Sequence, residues 1–164
     1  MPEICGTLAQ YPECALVVST ISSFSAVPIS MDAYQIDVLL PGSQKALALP
    51  PGFALFSVSE KAFARAEEAT DRGYYFDFLE FAKNQAEDMT PSTPSISHIY
   101  ALQSKLDDIF AEGVAARHAR HADLNAMVHD WAGRQKFEFF PPEGRPPESP
   151  TRSANNRHPH GARP

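Results

Sequence analysis

Apolar residues come in short runs over the first sixty positions and at helical spacing further on. Ala15-Leu16-Val17-Val18, after Pro12, has the continuity of a strand buried in a parallel sheet. A serine-rich loop from Ser19 to Val27 follows, and Ile36-Asp37-Val38-Leu39-Leu40 reads as a second strand closed by Pro41-Gly42. Pro50-Pro51-Gly52 is a turn, and Phe53-Ala54-Leu55-Phe56-Ser57-Val58 is a third apolar run. Ser57-Val58-Ser59-Glu60 fits a capping box opening a helix through Ala69. An aromatic stretch, Tyr74-Tyr75-Phe76-Asp77-Phe78, leads to the loop Thr90-Pro91-Ser92-Thr93-Pro94. From near Ser95, Ile96, Ile99, Leu102, Leu106, Ile109 and Phe110 recur at helical spacing until Gly113 breaks the pattern. A second helix carries Leu124, Met127, Val128 and Trp131 on one face, and Phe137-Glu138-Phe139-Phe140 reads as an opening strand. Strands alternating with helices predict an α/β protein.

Composition sharpens this at the C-terminus. Residues 141–164 hold 7 of the 15 prolines and almost nothing apolar, so they are expected to be disordered. Such an abrupt change is what a shifted reading frame produces, and residues from about Arg145 onward are expected to fall outside the pattern of the rest. The net charge of −6 is uneven: residues 1–140 hold 10 Lys and Arg against 18 Asp and Glu. That acidic balance argues against nucleic acid as a partner, since binding it relies on Lys and Arg to neutralise phosphates. No run approaches the ~18 apolar residues of a membrane span. The start Met1-Pro2-Glu3-Ile4-Cys5 lacks a secretory pattern, so a cytoplasmic location is the expectation. Cys5 and Cys14 are too few for a disulfide framework or a structural zinc site and read as reduced packing thiols.

Lys45 is the residue that stands out. It lies just past a strand end, in the turn Gly42-Ser43-Gln44-Lys45-Ala46, before an apolar run and a Pro-Pro-Gly turn. A lysine in a turn is ordinarily a solvated surface residue. Partly desolvated, it is a Schiff-base nucleophile, and strand ends of α/β sheets are where ligand clefts form. His118 and His121 lie three apart, with Asp123 and His129 nearby, but this stretch falls on the polar side of an amphipathic helix and no metal is expected. His98 lies beside the apolar face of the first long helix and reads as a packed or interface histidine.

Ser22-Ser23, Pro28-Ile29, Asp32, Ile36-Asp37, Gly42-Ser43-Gln44-Lys45-Ala46-Leu47, Pro50-Pro51-Gly52 and the later Thr90-to-Pro94 loop together resemble the class V pyridoxal-phosphate aminotransferases, most of all their alanine–glyoxylate and serine–glyoxylate group. The resemblance runs from about Leu8 to Phe140, roughly the middle third of a family member. It implies part of a fold-type-I transferase: residues 1–94 as the later part of the cofactor-binding large domain, 95–140 as linking helices and the start of the small domain, and 141–164 as a tail. It implies pyridoxal 5'-phosphate bound as an aldimine on Lys45, which then shuttles the proton at the substrate's α-carbon. It implies further that Gln44 helps hold the phosphate, that Ile21 packs on the ring, and that Thr90 and Thr93 reach the phosphate of a neighbouring subunit's cofactor in a homodimer. The implied substrates are a small amino acid, alanine or serine, and a 2-oxo acid such as glyoxylate or pyruvate. Cysteine desulfurases of the same class carry a histidine before the lysine, so Gln44 favours transamination.

Two departures qualify the resemblance. The family's aspartate, 26 residues before the lysine, pairs with the pyridine nitrogen, and here that position is Ser19; a hydroxyl can hydrogen-bond the nitrogen but cannot hold a proton on it. The family's phosphate-binding loop, ring-stacking aromatic and carboxylate-clamping arginine are also not matched in this chain. The alternative expectation is therefore a truncated, inactive product or a dimerising interaction module using the helix from Ser95 to Glu112.

Overall fold

A computed structural model describes residues 2–137; the Phe137–Phe140 strand, beyond Phe137, and the tail 141–164 lie outside them. The elements are α1 (Pro2–Leu8), β1 (Val17–Ser19), β2 (Val38–Leu40), β3 (Ser57–Val58), α2 (Glu60–Glu68), α3 (Phe78–Gln85), α4 (Ile96–Glu112) and α5 (Val114–Arg134). Strands and helices together make the α/β architecture that the hydrophobic pattern predicts.

The three strands form one sheet in the order β1-β2-β3. β1 and β2 are parallel, with Val17 opposite Val38 and Ser19 opposite Leu40. β3 returns antiparallel to β2, pairing Val38 with Val58 and Leu39 with Ser57, and a further antiparallel bridge joins Gly42 to Ala54. The core gathers around β2: Ile36, Val38, Leu39 and Leu47 are buried, with Ala26, Ala62, Ile109 and Ala132.

β1 departs from the expectation of a buried strand. It pairs only with β2 among the described residues, and Val17 at this open edge is 57% exposed. The thiols depart as well: Cys14 is exposed and Cys5 half-buried, so neither is a core packing residue.

Asp37 ties the sheet to the helix that follows it. Its buried carboxylate accepts hydrogen bonds from the Leu16 amide (2.8 Å), the Ser59 hydroxyl (2.9 Å) and the Lys61 ammonium (3.2 Å). Burial alone would raise its pKa, but these donors and the Lys61 charge outweigh burial and hold it below the usual carboxylate range. Ser59 is also the N-cap of α2, its oxygen accepting from the Ala62 amide at 3.1 Å. The start of α2 therefore falls two residues after the Ser57 cap expected from the Ser57-to-Glu60 motif. Ser57 is held in β3 instead, and Ala62, not a glutamate, occupies the position that a capping box gives to the returning side chain.

Two helices carry no clear sequence signal. α1 is short and contains Gly6. α3 starts inside the aromatic stretch, where Asp77 caps it by accepting from the Leu79 amide (3.0 Å) and from Arg72 Nε (3.0 Å). Phe56 then packs against Phe78 and Phe81 at 5.5 and 5.0 Å between ring centroids.

α4 starts at Ser95 and stops at Gly113, whose φ of 85° suits a residue without a side chain. α5 follows at once and packs against α4. Its inward positions are Arg117, His121, Asn125, His129 and Ala132, spaced by three or four residues. The polar side of this helix thus faces the molecule, while Leu124, Met127, Val128 and Trp131 remain exposed.

Candidate active site

The parallel pairing of β1 and β2 brings their C-terminal ends to one edge of the sheet. Ser19 ends β1 opposite Leu40, and the Thr20 amide donates to the Leu40 carbonyl at 3.0 Å. The chain leaving β2 reaches Lys45 within five residues, so Ser19, Ile21, Gln44 and Lys45 collect at this edge. Gly42 is where two of them, Ile21 and Gln44, approach one another: a Cβ there would lie 2.9 Å from Gln44 Oε1 and 3.1 Å from Ile21 Cγ2. A side chain at position 42 would make the Gln44 amide move aside and crowd Ile21.

The loop after β2 is pinned from below. Ser43 is fully buried and donates its hydroxyl to the Pro50 carbonyl at 2.8 Å, while the Leu49 amide donates back to the Ser43 carbonyl. Leu47 anchors the loop in the core at 1% exposure. His98 secures the Pro-Pro-Gly turn from the side of α4. Its Nε2 lies 3.3 Å from the Pro50 carbonyl, and its Nδ1 lies 2.7 Å from Ser95 Oγ. A carbonyl only accepts, so a neutral His98 carries its proton on Nε2 and accepts a hydrogen bond from the Ser95 hydroxyl at Nδ1. The ring also stacks on Phe53, 5.9 Å away. His98 is packed, as its place beside the apolar face suggests, and Ser95 caps α4 with its side chain turned to His98 rather than to a helix amide.

Between these anchors Lys45 projects outward. It is exposed, whereas the sequence expectation was a partly desolvated amine, because the loop carries it past the strand ends and no described residue covers it. Two of the other lysines are engaged, Lys61 with Asp37 and the Cys14 carbonyl and Lys105 with Asp108, while Lys83 and Lys136, like Lys45, have no side-chain partner among the described residues. The Lys45 ammonium makes no hydrogen bond or ion pair among the described residues, while its carbonyl accepts from the Ala48 amide at 2.8 Å. Thr90 and Thr93 are exposed, and Thr90 donates to the Ser92 carbonyl at 2.6 Å.

Arg117 reaches this loop from the opposite side and has no counterpart in the sequence reading. The side chain is buried and donates to the Ala46 carbonyl, to Ser25 Oγ and to Glu112. Glu112 also takes two bonds from Arg120, at 2.5 and 2.9 Å. The Arg120 bond is the main reason its carboxyl falls to about 2, against the opposing effect of burial and with further help from both arginine charges. Burial, aided by these two arginine charges and opposed by Glu112, pushes the pKa of His121 down. Among the described residues no three metal-ligating side chains come together.

Solved structures share this architecture. An alanine–glyoxylate aminotransferase from Nostoc sp. superposes with a TM-score of 0.76 over 83% of this chain and 37% of its own, at 24% identity, which shows the fold. In sequence, an uncharacterized aminotransferase of Methanocaldococcus jannaschii is 38% identical over 140 residues, 84% of this chain and 36% of the relative. The serine–glyoxylate aminotransferase of Arabidopsis thaliana is 39% identical over 110 residues, 66% of this chain and 27% of the relative. The pattern of the class-V aminotransferases matches residues 1–143. The chain belongs to the class-V aminotransferase family, and it spans about a third of the length of the curated relatives it matches.

Proposed function

We propose that this chain is the lysine-bearing part of an aminotransferase that moves an amino group from a small amino acid, alanine or serine, to a 2-oxo acid such as glyoxylate or pyruvate. The proposal includes pyridoxal 5'-phosphate as cofactor, a homodimer as the working assembly, the division of the chain at residues 94 and 95, and a cytoplasmic location. One observation supports it: Ile21 and Gln44 lie side by side at Gly42, just past the C-terminal ends of a parallel strand pair, with Ser19 closing β1 and Lys45 next to Gln44 in the chain.

The donor set fits the cofactor. Lys45 offers a primary amine free of competing partners, Ile21 an apolar surface for a ring, Gln44 an amide for phosphate, and Ser19 a hydroxyl for a ring nitrogen. Bound there, pyridoxal phosphate supplies an aldehyde that takes up amines and a ring that accepts electrons. Lys45 would be the amine that holds the cofactor, and its free amine would serve as the base that carries the proton at the substrate's α-carbon. Ile21 and Gln44 orient. Ser19 donates or accepts a hydrogen bond without adding charge, so the ring nitrogen is held less firmly protonated than by a carboxylate. Thr90 and Thr93 serve the partner subunit's cofactor.

The test needs no turnover. Mixed with pyridoxal phosphate, an amine condenses with the aldehyde and loses water, and hydride from borohydride then makes the bond permanent. Peptide mapping is expected to place the reduced adduct on Lys45. An adduct confined to Lys61, Lys83, Lys105 or Lys136 overturns the assignment.

A further inference from the structure

The Arg117 guanidinium is held within the molecule, 6% exposed, in the first turn of α5. A buried cation is costly unless its donors are matched, and here the fork is shared among three separate segments. Nε donates to Ser25 Oγ at 2.7 Å, in the loop after β1. Nη2 donates to the Ala46 carbonyl at 2.5 Å, in the loop after β2. Nη1 lies 3.4 Å from Glu112, at the end of α4.

The two loops so joined are those that carry Ile21 and Lys45, and both contain backbone in the left-handed region, at Ser25 (φ 67°) and Ala48 (φ 55°). Such conformations persist when the surroundings over-determine them. Burial of Ser43 and Leu47 fixes the ends of the lysine loop. Its middle is held by the Ala46 carbonyl, one peptide beyond Lys45.

We infer that Arg117 is a positioning residue: by gripping the Ala46 carbonyl and Ser25 together, it sets the direction in which Lys45 leaves the sheet edge. This rests on the reading of Lys45 as the cofactor-bearing amine. Arg117 acts through the backbone, not by touching cofactor or substrate. Lysine cannot replace it, because one ammonium on a flexible stem does not span three acceptors from three segments.

In the full chain, Arg117→Lys is expected to lower the share of borohydride-fixed pyridoxal phosphate found on Lys45, relative to the exposed Lys83, about tenfold, the effect of one charge-assisted hydrogen bond. The Ala48 and Leu49 amides, which close the lysine loop onto Lys45 and Ser43, are expected to exchange faster, with the Val38 amide of β2 unchanged. Ser25→Ala removes one anchor while leaving the other two, and is expected to shift both readouts the same way by less. It keeps the test open if the lysine variant does not fold. Unchanged exchange at Ala48 and Leu49 in both variants overturns the inference. So does faster exchange with an unchanged Lys45 share, which marks Arg117 as a clamp for the fold alone. Wild-type labelling only at other lysines overturns the function proposed above, and the exchange arm still decides whether Arg117 fixes the loop.

Discussion

Thr20 lies one residue past the end of β1, 1% exposed, and its hydroxyl oxygen is buried with no hydrogen-bond partner among the described residues. Its amide keeps the sheet edge closed through Leu40, so the backbone is satisfied and the side chain is not. An unmade hydrogen bond costs the desolvation of its group, about 1–3 kcal/mol. Thr20→Val keeps the branched shape and removes the oxygen. It is expected to leave stability unchanged or to raise it by about 1 kcal/mol, read from the midpoint of denaturant unfolding. A loss of stability would show that the hydroxyl is paired in solution. At this scale the sequence was informative where chemistry is concentrated: the spacing of Gln44, Lys45 and the Pro-Pro-Gly turn directed attention to the loop that the sheet places at its edge. Arg117 was not legible. A charged residue among His118, Arg120 and His121 reads as solvent-facing, and nothing local shows that its fork meets Ser25 and Ala46, 92 and 71 positions away.

Elements were legible where their stabilising contacts are local. α4 begins and ends where Ser95 and Gly113 punctuate the apolar spacing, and β2 sits within its apolar run. α3 was missed because Phe78, Leu79 and Phe81 continue an aromatic run, and its cap, Asp77, is hidden within that run. The start of α2 shifted because a tertiary partner chose between two serines: Ser59, not Ser57, reaches Asp37. That carboxylate joins β1, β2 and α2, and a pH dependence follows. The folded pKa of Asp37 is depressed, so its contribution is fully present above the ordinary carboxylate pKa of about 4 and fades as pH falls below it. Asp37→Asn turns an amide N–H₂ toward donors on at least one side. At pH 7 it is expected to cost about 1–3 kcal/mol, with the gap from wild type narrowing in unfolding measurements below pH 4. A gap that stays constant to pH 3 would mean that the carboxylate charge contributes nothing.

Across the whole molecule, polar and apolar surfaces are distributed against the usual rule for α5. Arg117 and His121 face inward, and Leu124, Met127, Val128 and Trp131 are 48, 65, 59 and 51% exposed. The hydrophobic pattern placed these four on one face correctly but could not say which way the face points, because burial is decided by Arg117 reaching Ser25 and Ala46. An apolar face this continuous drives association in water. Concentration-dependent self-association of the chain is therefore expected in light scattering. Met127→Glu together with Val128→Lys should suppress it, because the two substitutions place charges at the centre of the face. Neither side chain is part of the core, so the stability of the fold should change by no more than about 0.5 kcal/mol. Two other exposed aromatics, Tyr74 and Phe76, stand 102 and 87% exposed before α3 and offer the competing sticky surface. Association that persists in the double variant and disappears with Tyr74→Ser and Phe76→Ser would move the self-associating surface from α5 to that stretch.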